Sequence, residues 1–153
     1  MEKNSVLKFV SWNVNGIRAV EKKGFIDLLP SFDADIIGLQ ETKAQPDQLS
    51  DGLKNIPGYT SYWHSAERKG YSGVAVYTRI KPVAVHYGLG DPEFDCEGRV
   101  LTLEFDDYFL VNIYFPNSAE KLKRLDYKLR FNDRLTAFAK DMENKKPVIL
   151  CGD

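Results

Sequence analysis

The run Val6-Leu7-Lys8-Phe9-Val10-Ser11-Trp12-Asn13-Val14, followed at once by Asn15-Gly16, sets the reading of the fold. Val6 to Val14 is apolar and β-branched enough for a buried strand, and Asn15-Gly16 is a turn pair that stops it. Asp35-Ile36-Ile37-Gly38-Leu39-Gln40 repeats the design, an apolar run that ends in polar Gln40-Glu41. Pro147-Val148-Ile149-Leu150 repeats it again and runs into Gly152-Asp153. Three apolar strands each end in amide or carboxylate side chains, at the point where loops begin and function commonly sits.

Between these strands the pattern alternates with helices. Ile17 to Leu29 has helical spacing, and Pro30 is expected to end it. Pro46 to Ile56 reads as a short helix stopped by Pro57-Gly58. Gly73 to Thr78, Pro82 to Tyr87 and Arg99 to Phe105 read as strands. Asp106-Asp107 turns the chain into Tyr108 to Phe115, where Phe109, Val111, Ile113 and Phe115 alternate, so an antiparallel hairpin is expected. Lys121 to Glu143 reads as the longest helix. Leu122, Leu125 and Leu129, then Leu135, Phe138 and Met142, recur along it at three- and four-residue spacing.

Composition limits the function classes. A chain of 153 residues suits one domain, and 43% apolar with 12% aromatic residues is enough for a core. The formal charge of -1, from 21 basic and 22 acidic residues, is not that of a nucleic-acid coat protein. It does not exclude a DNA enzyme, because a carboxylate cluster offsets a basic contact surface. Cys96 and Cys151 have no metal-ligand spacing and read as free thiols of a reducing compartment, with Cys151 buried. Met1 to Lys8 has neither a leader pattern nor a membrane span, so a cytoplasmic protein is expected.

The polar strand ends, Asn13, Glu41 and Asp153, are of the type that a hard cation such as magnesium takes alongside water and phosphate. Spacing cannot show that they converge. On spacing alone the plainer reading, polar residues facing water, is favoured.

Six ordered blocks change that balance. Trp12-Asn13-Val14-Asn15-Gly16-Ile17-Arg18-Ala19, Leu39-Gln40-Glu41-Thr42-Lys43, Gly70-Tyr71-Ser72-Gly73, Glu97-Gly98-Arg99-Val100, Tyr114-Phe115-Pro116-Asn117 and Val148-Ile149-Leu150-Cys151-Gly152-Asp153 together resemble the exonuclease III and abasic-site endonuclease family. Any one block would be weak; the ordered set is specific. The resemblance implies a DNase I-like four-layer α-β-β-α sandwich, of which 153 residues would be an amino-terminal, truncated half. It implies magnesium, with manganese accepted, and hydrolysis of the phosphodiester 5′ to an abasic site with 3′-5′ exonuclease activity. The implied partner is double-stranded DNA with abasic sites or 3′ ends.

It also implies residue roles. Glu41 would be the main metal carboxylate, with Asn13 and Asp153 near the metal. Asp153 would position or activate the attacking water, and Tyr114 would bind the scissile phosphate. Lys43 and Asn15 would support Glu41. Arg18, Tyr71, Arg99 and Asn117 would contact DNA. The basic start of the long helix reads better as a solvated face with pairs such as Asp126 with Arg130 than as a DNA patch. His64 and His86 inherit no role.

Departures from the family qualify this. No asparagine follows two residues after Asp153, and the later aspartates and histidine of the family site are missing. Asn15 stands where some members carry aspartate. The intact family member is expected to be monomeric. The 153-residue chain is expected to be inactive and to be poorly soluble or self-associated through exposed apolar faces and a bare sheet edge. Two rivals remain open: a phosphatase or phosphodiesterase branch of the same superfamily, and a non-catalytic DNA- or protein-binding half-fold.

Overall fold

A computed structural model describes residues 6–153. The first five residues of the Met1–Lys8 segment lie outside the described residues. The chain forms two four-stranded sheets. The first is made of β1 (Phe9–Asn13), β2 (Ile36–Gln40), β3 (Thr60–His64) and β4 (Val74–Thr78), in the order β1-β2-β4-β3. The second is made of β5 (Ala84–Tyr87), β6 (Val100–Glu104), β7 (Phe109–Ile113) and β8 (Val148–Gly152), in that order. β1 runs parallel to β2, and β7 parallel to β8; the other pairings are antiparallel. The expected hairpin is β6-β7, with Thr102 opposite Val111.

Period-2 alternation explains how the layers stack. Ile36, Val74 and Val76 of the first sheet face Leu101, Leu103 and Leu110 of the second, and this cluster is the seam between sheets. The opposite faces, Ile37, Leu39, Ala75 and Tyr77, are covered by Ile17 of α1 (Ile17–Glu21), Phe25 and Leu29 of α2 (Phe25–Ser31) and Leu53 of α3 (Asp51–Lys54). On the far side Val111 and Ile113 pack under Phe94 of α4 (Pro92–Asp95) and under Phe131, Leu135 and Met142 of α5 (Leu125–Glu143). Helix, sheet, sheet, helix is the four-layer α-β-β-α order of the sandwich.

Several elements differ from the reading of the sequence. Ile17 to Leu29 is two helices, because Gly24 takes a left-handed φ of 91° between them. Pro30 lies inside α2; in so short a helix its missing N–H falls near the end and breaks little. Pro46 to Ile56 is a 3-10 turn at Pro46–Gln48 and then α3, which Ser50 caps by accepting the Leu53 N–H. β3 and α4 were not expected. β3 carries mixed polar and aromatic residues on an edge, and α4 is a single turn capped by Asp91. The long helix starts at Leu125. Leu122, Leu125 and Leu129 are exposed, whereas Leu135 and Met142 are buried. Each sheet has two strands paired on a single side, β1 and β3 in the first and β5 and β8 in the second. Ile149 and Leu150 of β8 are exposed.

Candidate active site at the strand ends

Three strand ends meet. Asn13 closes β1, Glu41 follows β2, and Asp153 follows β8 from the other sheet. The Asn13 amide nitrogen donates to Glu41 Oε2 at 2.9 Å and to Asp153 Oδ2 at 2.7 Å. The Asn13 amide oxygen accepts the Asn15 N–H at 2.9 Å, which fixes the orientation of the amide. Lys43 Nζ reaches Glu41 Oε1 at 2.9 Å and Asn15 Oδ1 at 2.6 Å. Asp153, Asn13, Glu41, Lys43 and Asn15 are therefore one connected polar cluster. The Asn13 nitrogen ties the two carboxylates together, and its oxygen, which accepts the Asn15 N–H, keeps a second lone pair.

Backbone geometry holds the cluster. Asn15, Glu41, Lys43 and Ser72 all have positive φ, at 45°, 58°, 53° and 49°. Such values are uncommon outside glycine and cost about 1–3 kcal/mol each, so the surroundings must enforce them. Bonds between loops do so: Gly16 N–H to Glu41 O (2.8 Å), Ile17 N–H to Thr42 O (2.9 Å), Thr42 N–H to Gly73 O (3.1 Å) and Lys43 N–H to Ser72 O (2.8 Å). Gly73 has no alternative here, because a Cβ would run into Thr42 Oγ1. Beneath the cluster, between the sheets, buried Gln40 donates to Asn112 Oδ1 at 2.7 Å. Asn112 in turn donates to the carbonyls of Leu39 and Ala75, each at 2.9 Å.

Burial would raise the Glu41 carboxyl, but hydrogen bonds from Lys43 and Asn13, the Lys43 charge and a hydrogen bond with Tyr114 outweigh it and hold it below the ordinary value. The Tyr114 phenol is pushed up to about 12, first by burial and then by the neighbouring Glu41 charge. At neutral pH the site thus holds an ionised carboxylate beside a protonated phenol, an acceptor and a donor side by side. Tyr114 is anchored through its backbone, with its N–H on Arg99 O at 2.8 Å and its carbonyl accepting Arg99 Nη1 at 3.1 Å.

The remaining candidates scatter around this centre. Arg18 is exposed and lines an open pocket with Lys22, Lys43 and Gly70. Tyr71 is half-buried beside Arg99 and Arg124. Asn117 is exposed, and its side-chain oxygen accepts the Ala119 N–H at 3.0 Å, so it lies in the loop rather than in the carboxylate cluster. Arg99 is 3% exposed, and its donors go to Glu97, Tyr71 and the Tyr114 carbonyl. The reading of the sequence missed Asn112, Glu97 and Arg124. Asn112 carried a signal, a lone amide among apolar residues of β7. Arg124 carried none within a run of surface cations. The helix pair Arg130 with Asp126 is formed, at 2.9 Å. His64 Nδ1 lies 2.9 Å from the Val100 carbonyl, and His86 Nε2 lies 3.2 Å from Glu104 Oε2; neither hydrogen-bonds Glu41 or Asp153.

The carboxylate pair suits a divalent cation. Each oxygen of Glu41 that accepts an N–H keeps a second lone pair, and magnesium takes one or two carboxylates together with water and phosphate oxygens. Glu41 and Asp153 are the residues that would hold it. Among the described residues no three His, Cys, Asp or Glu side chains converge.

Residues 10–153 match the Endonuclease/Exonuclease/phosphatase family. The chain is 47% identical over 148 residues to an exodeoxyribonuclease of Bacillus subtilis, an alignment that covers 96% of this chain and 58% of the relative. It is 44% identical over 149 residues to the DNA repair nuclease APEX1 of Danio rerio, covering 96% of this chain and 48% of the relative. The crystal structure of the Xenopus laevis APE2 catalytic domain superposes with a TM-score of 0.84 at 36% identity, over 96% of this chain and 58% of that one. The chain spans about half the length of the relatives it matches. With its strand-end carboxylates brought together as described and nearly all of its length matched, the chain belongs to the Endonuclease/Exonuclease/phosphatase family.

Proposed function

We propose that this chain carries the Glu41 and Asp153 part of a metal-dependent DNA-repair nuclease site that hydrolyses the phosphodiester 5′ to abasic sites and removes nucleotides from 3′ ends. The observation that carries this reading is the meeting of Glu41 and Asp153 on the single amide of Asn13, from strands of different sheets. The names of the relatives, an exodeoxyribonuclease and a DNA repair nuclease, support the substrate class. We assign it to the cytoplasm as part of the same proposal; among the described residues no helix is long and apolar enough to cross a membrane.

Each residue has a defined task. Magnesium, or manganese in its place, supplies charge stabilisation at the phosphate when bound. Glu41 and Asp153 would hold it, and Lys43 fixes the Glu41 rotamer. Asp153 orients the attacking water and accepts its proton. Tyr114, still protonated, donates to a phosphate oxygen as negative charge develops there. Arg18, Tyr71 and Asn117 hold the DNA backbone without reading sequence, which suits damage found in any context. An abasic nucleotide has no base to unstack, so turning it out of the helix costs less.

The test is incision of a duplex carrying one abasic site, with magnesium, with a chelator, and with Glu41→Ala. We expect the chain by itself to cut slowly or not at all, and a longer chain continuing through the rest of the family's length to cut in a magnesium- and Glu41-dependent way. Both chains inert on abasic DNA, or cutting indifferent to Glu41→Ala, would sink the reading.

A further inference from the structure

Tyr71 stands against two guanidinium groups. Its hydroxyl oxygen accepts from Arg99 Nη2 and from Arg124 Nη1, both at 2.8 Å. A phenol oxygen has two lone pairs and one proton, and a guanidinium cannot accept. With both lone pairs taken, the hydroxyl can only donate, and it must do so away from the arginines. No hydrogen bond among the described residues takes that proton. Tyr71 lines an open pocket with Arg68 and Arg124, and the Arg68 guanidinium sits 5.1 Å from its ring centre.

Two cations converging on one neutral oxygen repel each other unless a counter-charge holds them. Glu97 supplies it: Oε2 accepts Arg99 Nε and Oε1 accepts Arg124 Nη2, both at 2.6 Å. Arg99 is buried, so without Glu97 its charge would lack compensation. The turn that delivers Glu97 is rigid. Gly98 has a φ of 57°, and a Cβ there would lie 2.5 Å from the Ser65 carbonyl carbon.

We propose that Glu97 is a positioning residue: it locks Arg99 and Arg124 onto Tyr71, so that Tyr71 presents an outward hydrogen-bond donor to an anionic oxygen of the DNA backbone. This rests on the DNA-directed reading above. Charge alone gives the opposite sign for its removal. Glu97→Gln deletes a negative charge beside the DNA path and, by Coulomb attraction alone, would tighten binding. Loss of an aligned donor weakens it.

The experiment uses the full chain in chelator with a duplex carrying one abasic site, and labels the tyrosine Cζ carbons for NMR, with the Tyr71 signal identified by Tyr71→Phe. Glu97→Gln should shift the Tyr71 resonance and weaken binding about tenfold, the usual scale for a hydrogen bond to a charged acceptor. It should weaken binding no further in the Tyr71→Phe background. Arg124→Lys, which keeps the charge but loses the planar fork, should do the same and carries the test if Glu97→Gln fails to fold. An unmoved Tyr71 resonance, tighter binding, or losses that add to those of Tyr71→Phe overturn the proposal. If the wild-type chain binds no duplex, the DNA reading and the donation step both fall, while the resonance still decides whether Glu97 holds Tyr71.

Discussion

Asn13 and Asp153 are 140 positions apart in sequence, yet the amide of Asn13 donates to the carboxylate of Asp153 at 2.7 Å. The same nitrogen serves Glu41, so Asn13 keeps two carboxylates close that would otherwise repel. An outer partner of this kind is worth about 10–100-fold in metal affinity. Asn13→Ala should weaken manganese binding by that factor in titration calorimetry, while Glu41→Ala abolishes it. Equal affinity in Asn13→Ala and wild type would remove the bridging role.

Beneath the site, Asn112 satisfies Gln40 and the carbonyls of Leu39 and Ala75 in the seam between sheets. Asn112→Ala would strand several buried polar groups at about 1–3 kcal/mol each. A loss of about 3 kcal/mol or more in urea unfolding is expected. A loss below about 1 kcal/mol would mean that water or rearrangement replaces the amide.

Much of this was legible in the sequence because buried strands announce themselves. Val6–Val14, Asp35–Gln40 and Tyr108–Phe115 are apolar runs bounded by turn residues, and each became a strand. The helix-face reading failed at Leu122, Leu125 and Leu129, since periodicity cannot say whether a stripe has anything to cover it. The candidate site was legible only through its ordered blocks. Spacing places Asn13, Glu41 and Asp153 at strand ends but carries no information on whether two sheets bring those ends together. Nor could it show that Arg99 is buried, because an arginine beside glutamate and glycine reads as surface until its partners Tyr71 and Tyr114 are placed around it.

The β8 edge offers a separate check. Leu150 is 52% exposed and lines an open apolar pocket with Phe115, Leu135 and Val148. Leu150→Lys should reduce self-association in sedimentation velocity and change unfolding free energy by no more than about 0.5 kcal/mol, as for other surface positions. Unchanged association would place the contact elsewhere.

Acid should act through Glu97. Burial would raise its carboxyl, but hydrogen bonds from Arg124 and Arg99 and their charges hold it below the ordinary value. A depressed carboxyl contributes stability that is present above the unfolded value and is lost as pH falls through the folded one. The window therefore opens just below the usual glutamate range and extends downward. Other carboxylates in the chain titrate there too, Glu41 and Glu104 among them, so the wild-type slope alone does not isolate Glu97. The difference between wild type and Glu97→Gln does. Above that range the wild-type chain should be the more stable of the two. As the pH falls through it, the wild-type advantage should shrink, because protonated Glu97 no longer neutralises the buried Arg99. Urea midpoints measured for both proteins from neutral pH down into the acid range give the comparison. A gap that stays constant with pH would show that Glu97 does not change its proton affinity on folding.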